Sequence, residues 1–165
     1  MNQYKLEIKW GFVFIAMTLT WMLLERLVGL HSTHIDKHPI YTNFILLPAL
    51  AIYVLALRDK RDHFYKGNIT FTEGFITGMF ITLVVTFLTP LSQVIIIKII
   101  TPHFFSNVIE YAVANNKMSL EEANAYFSLR NYISQSLLGA PIMGSITSGL
   151  VAFFMRSKDK SKLAT

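Results

Sequence analysis

Residues 21–41 read WMLLERLVGLHSTHIDKHPIY, and this stretch decides the fold. An apolar run that begins at Trp10 closes at Leu30. Residues 31–39 are polar, and Pro39 disfavours helix at the residue before it. A second apolar run then starts at Ile40. Working outward, the rest of the chain repeats the pattern of apolar segment, polar stop and apolar segment. A bilayer core about 30 Å thick needs roughly 20 helical residues to cross it, and the chain carries four runs of that kind. They read as spans at 10–30, 40–57, 72–97 and 131–155 of one four-helix membrane domain that takes in residues 1–165. The fold class is therefore all-α membrane protein.

Composition agrees. Hydrophobic residues make up 53% and charged residues only 15% of the 165, against about 25% charged in soluble domains. The net charge of +5 does not point to nucleic acid, because the basic residues flank the apolar segments. There is no cysteine, which removes disulfides, thiolate metal sites and cysteine nucleophiles. The first span ends in LLERLVGL without a small-residue cleavage site, so it reads as an uncleaved anchor.

The connections differ in kind. Residues 31–39 form a short outer turn, and 58–71 a basic cytoplasmic loop. The interval 98–130 is a helical extracytoplasmic segment. Within it Phe105, Val108, Ile109 and Ala112 fall at helical spacing, and Asn115, Asn116 and Lys117 end that helix. Ser119 and Glu122 then form a capping box, and one helix is expected from Ser119 to Met155. Aromatic residues Phe104, Phe105, Tyr111, Tyr126, Phe127 and Tyr132 suit a membrane surface. Pro48, Pro90 and Pro141 are expected to kink their spans. The tail 156–165 is basic and expected to be disordered. Ten of the fifteen lysines and arginines lie in the N-terminal lead, the 58–71 loop and the tail. The positive-inside rule then places both termini in the cytoplasm.

Taken in order, LEIKWGFVF, GLHSTHIDKHPIYTN, YVLALRDKR, TFTEGFITG, TPLSQ and IEYAVANNKMSLEEANAYF resemble a family of small bacterial membrane proteins. It is known as domain of unknown function 4199. The resemblance covers nearly the whole chain except the tail. It implies a four-helix membrane domain, seen mostly in Gram-negative bacteria of the Bacteroidota, and it implies no activity, substrate or catalytic residue; the location expected for the chain is the bacterial inner membrane.

Three constellations stand out. His31, His34 and His38 are spaced i, i+3, i+7 and would share one face of a helix; with Glu25 or Asp36 they could hold zinc or another divalent ion, or cap a turn and sense pH. Glu25 and Arg26 lie inside an apolar span, where charge is costly and marks function by default. Arg26 is only about 6 Å of helix rise from Leu30 and can reach the surface. Glu25 needs a partner: Lys98, Arg130 or a turn histidine. Finally, Gly74, Gly78, Thr82 and Thr86 in the third span, and Ala140, Gly144, Ser148 and Ala152 in the fourth, form small-residue ladders. Such faces let helices pack closely, within one chain or between two.

No phosphate-binding loop, dinucleotide motif, HExxH or nucleophile-elbow pattern is present, so no enzyme is expected and no cofactor is assigned. The reading that asks least is a structural or accessory membrane protein. Its partners would be the lipid bilayer and another membrane protein or a second copy. The alternatives are a small-solute or ion transporter using Glu25, and a metal- or pH-sensing protein using His31, His34 and His38.

Overall fold

The computed structural model describes residues 4–157. The tail from 158 onward, with its predicted disorder and three of its basic residues, lies outside that range. Helix α1 runs Lys5–Leu27. A turn leads to α2 (His38–Tyr41), a 3₁₀ segment (Thr42–Ile45) and α3 (Leu46–His63), which together make one rod over His38–His63. Helix α4 (Phe71–Ile95) continues into a π turn (Ile96–Ile100). Two shorter helices follow, α5 (Phe104–Ala114) and α6 (Leu120–Tyr126), and α7 (Leu129–Met155) closes the fold. There is no strand among the described residues. The four long helical segments are each long and apolar enough to cross a membrane.

The rods alternate in direction. Helices α4 and α7 pack together along most of their length, α1 flanks α4, and α3 lies against α1 and α7. The mid-bundle core is Tyr53, Ala56, Leu57, Ile81, Val85, Val151 and Ala152. A second cluster, built on Ile35, Ile96, Ile97 and Phe104, sits at what we term the histidine end. Outward faces are apolar: Phe87 is 85% exposed and Phe154 79%. That is the reverse of a water-soluble bundle and suits contact with lipid tails.

Local sequence explains the ends. Thr70 caps α4 and Ser119 caps α6, each in a reciprocal capping box with the glutamate three residues on. The tail end is stitched by two hydrogen bonds between Ile69 and Ser157. Pro48 falls in the first turn of α3, and it cannot donate to the carbonyl of Phe44. The four residues before α3 tighten into a 3₁₀ turn there.

The expected continuous helix from Ser119 to Met155 is broken. Phe127 departs from helical backbone geometry, and Ser128 is extended and accepts from Asn131 N–H as a new N-cap. Asn131 Nδ2 also donates to the carbonyl of Tyr126. Serine and asparagine here offer the backbone an alternative to a continuous ladder, so α6 and α7 are separate helices.

Candidate functional site

The site begins with how α1 ends. Gly29 has φ +80°, a left-handed geometry that suits glycine. A Cβ there would also meet Thr33 Oγ1 at 2.5 Å. Gly29 N–H donates to Arg26 O and Leu30 N–H to Glu25 O, the paired bonds of a Schellman motif. Leu30 is buried. This reversal folds the chain back over the last turn of α1 and brings His31 onto Glu25.

The turn then winds through Ser32 N–H and His34 N–H to Gly29 O, and Ile35 N–H to Ser32 O. Ile35 is buried, whereas His34 and Asp36 face outward and are exposed. Pro39 sits in the first turn of α2, where its missing N–H costs nothing, and His38 starts that helix. The outcome corrects the grouping by helical spacing. His31 and His38 converge, His34 does not, and the missing third member is Glu25.

Glu25 is 2% exposed. Its Oε1 accepts from Trp21 Nε1, one turn earlier on α1. Its Oε2 lies 3.0 Å from His31 Nε2 and 3.4 Å from His38 Nε2. Lys98 and Arg130, the other expected partners, are exposed. Arg26 turns away from Glu25 and donates to the carbonyl of Ile100, at the end of the π turn. The two charges of the Glu25–Arg26 pair thus serve different contacts.

Helix α5 closes the site. The Phe104 ring lies 5.1 Å from each imidazole, and Asn107 Nδ2 donates to His31 O at 2.8 Å. A cavity of about 170 Å³ adjoins the histidines, lined also by Thr18, Gln93, Thr101 and Tyr132. His31 Nδ1 is buried without a protein hydrogen-bond partner.

The ladders meet along α4 and α7. A Cβ on Gly74 would lie 3.1 Å from that of Ala152, one on Gly78 2.6 Å from that of Ser148, and one on Gly144 2.9 Å from that of Thr82. Thr82 Oγ1 also pairs with Tyr53 OH at 2.7 Å. Thr86 and Ala140 continue the two rows and are partly buried.

A second charged cluster lies at the opposite end, and sequence reading missed it. Glu7 and Lys60, 3% and 4% exposed, pair at 2.7 Å. Beside them Lys9 and Trp10 Nε1 both donate to Asp59. The available signal was positional: acid and base in the first turns of α1 answer base and acid in the last turns of α3.

A family model described as "Protein of unknown function (DUF4199)" matches residues 9–157. The chain belongs to this family. The matched DUF4199 region takes in Glu25, His31 and His38 and both ladders, and it begins just after Glu7. No curated protein and no solved structure matches the chain.

Proposed function

We propose that the chain is a multi-pass protein of the bacterial inner membrane, with both termini cytoplasmic and a structural or accessory role. In this reading a closed bundle presents the helical segment α5–α6 on the outer face to a membrane-protein partner or a second copy. The lysine and arginine distribution supports the orientation. The role rests on one observation: α4 and α7 approach so closely that small side chains face each other at Gly74, Gly78 and Gly144. Backbones that close hold a rigid platform together and leave little width for a solute path between them. The outer segment is anchored to the turn after α1 through Phe104 and Asn107, and to α7 through the rings of Phe104 and Phe105 on Tyr132.

The competing reading is transport with Glu25 as the coupling carboxylate. It requires water to reach from Glu25 down the bundle. Single cysteines placed along 20–30 and 74–90 decide between the two, in a chain that has no cysteine of its own. With a membrane-impermeant thiol reagent on intact cells, labelling confined to the outer ends is expected. Labelling that runs deep along one helical face refutes the closed bundle and puts Glu25→Gln flux measurements first.

A further inference from the structure

The electrostatics of Glu25 are incomplete. It is buried; an indole and one imidazole bond to it, and a second imidazole nitrogen stands 3.4 Å from the same oxygen. Indole carries no charge, and imidazole is not a fixed cation as lysine and arginine are. Among the described residues no lysine or arginine pairs with it within ion-pair distance. A buried carboxylate needs a matched positive charge as well as donors. We infer that Glu25, His31 and His38 form a binding site for a divalent transition-metal ion, through Glu25 Oε2, His31 Nε2 and His38 Nε2.

The geometry carries the inference. Tetrahedral bonds of about 2.0–2.1 Å place neighbouring ligand atoms about 3.3 Å apart. Here they stand 3.0 and 3.4 Å apart around Oε2, and one ligand atom from each residue fits within 4.8 Å of the others. Two imidazoles and one carboxylate select Zn2+, Co2+ or Ni2+ over the oxygen-seeking Ca2+ and Mg2+. The surroundings hold the ligands in place: Trp21 fixes Oε1, Asn107 holds the His31 backbone, and Phe104 packs on both rings. Such outer contacts normally orient metal ligands.

Three protein ligands leave a fourth position open. The 170 Å³ cavity that both histidines line has room for water there. His38, with 20% of its side chain exposed, gives the ion a way in. A hydrogen-bonded latch between turn and helix accounts for His31 alone. The second imidazole, on the same oxygen at 3.4 Å, is too long to add much as a hydrogen bond and stands where a third ligand belongs.

The test uses the full chain in detergent, with any purification tag removed, stripped by chelator and titrated with Co2+. The chain has two tryptophans; Trp21 touches Glu25, and Trp10 is bonded to Asp59 at the other end. One Co2+ per chain is expected, with the visible absorption of a tetrahedral site and quenching of tryptophan emission. Trp21→Phe abolishes the quenching at saturating Co2+, and Trp10→Phe keeps it. His38→Ala weakens binding by about 100-fold or more, whereas His34→Ala leaves it unchanged. His38 is the partly exposed ligand, and Glu25→Gln with an unchanged melting profile provides a second variant with the same expected loss. Absence of a stoichiometric Co2+ spectrum overturns the site. So does binding that either ligand variant keeps within tenfold of wild type, or that His34→Ala removes.

Discussion

The sharpest consequence of the α4–α7 contact concerns Gly78. A methyl group there would lie 2.6 Å from Ser148 Cβ and 3.2 Å from Ser148 Cα, against about 3.5–4.0 Å for relaxed carbon contacts. The serine cannot simply swing aside, because the obstacle includes its backbone and its hydroxyl is bonded to Gly144 O. The helices must therefore part, and they lose dispersion contacts along the rows on either side. Overpacking of this kind costs about 1–3 kcal/mol, set against a gain of up to about 1 kcal/mol for replacing a helical glycine by alanine. Gly78→Ala is thus expected to be destabilising by up to about 2 kcal/mol net. Gly139 supplies the control, since nothing lies within 4 Å of a Cβ built there. The same substitution at that position should be neutral or stabilising by up to about 1 kcal/mol. Equilibrium unfolding in mixed micelles, followed by far-UV circular dichroism, measures both. If Gly78→Ala unfolds at or beyond the wild-type midpoint, the close approach of α4 and α7 is refuted.

Two further outcomes are expected. Lys60→Met should destabilise by about 3–5 kcal/mol, because Glu7 stays buried without its Lys60 ion pair; the double variant with Glu7→Gln should lose less than the sum of the two singles, and a purely additive cycle in the same unfolding assay would deny their coupling. At the start of α6, Ser119 N–H and then its hydroxyl hold the Glu122 carboxyl below its ordinary 4.5. That contribution is present above pH 4.5 and fades as pH falls through the depressed value. Amide exchange over Leu120–Tyr126, corrected for intrinsic rates, should therefore quicken as pH falls below 4.5; Glu122→Gln should abolish this dependence, and Ser119→Ala, which keeps the backbone N–H, should only weaken it.

Much of the architecture was legible because it follows from local or periodic features. Uninterrupted apolar length marks the four long helical segments, and four-residue spacing marks the rows on α4 and α7. Ser119 and Glu122 announce a helix start by chemistry alone. What escaped depends on partners far apart in sequence or on backbone turns. Glu7 sits in a short, mildly basic, amphipathic lead-in, and nothing there points to Lys60 because Lys60 lies on another helix. Glu25 was visible as a charge in an apolar run, but its partners depend on the Schellman reversal at Gly29. Grouping His34 with His31 and His38 assumed a helix where the chain turns, and that assumption rotated the wrong imidazole inward. The break at Phe127–Ser128 was hidden for a similar reason: no proline or glycine marks it, and a serine and an asparagine suffice.

The charges at both ends of the α1–α3 pair bear on how the protein enters a membrane. Helix α1 alone would carry Glu25 into lipid with Trp21 as its local donor, and would hold Glu7 in its first turn without Lys60. Their remaining partners, Lys60, His31 and His38, come from the turn and the second rod. An acid without them is expensive in hydrocarbon. The first helix is therefore a poor independent insertion unit. Residues 5–63 leave the insertion machinery most favourably as a finished hairpin, already closed at both ends before α4 arrives.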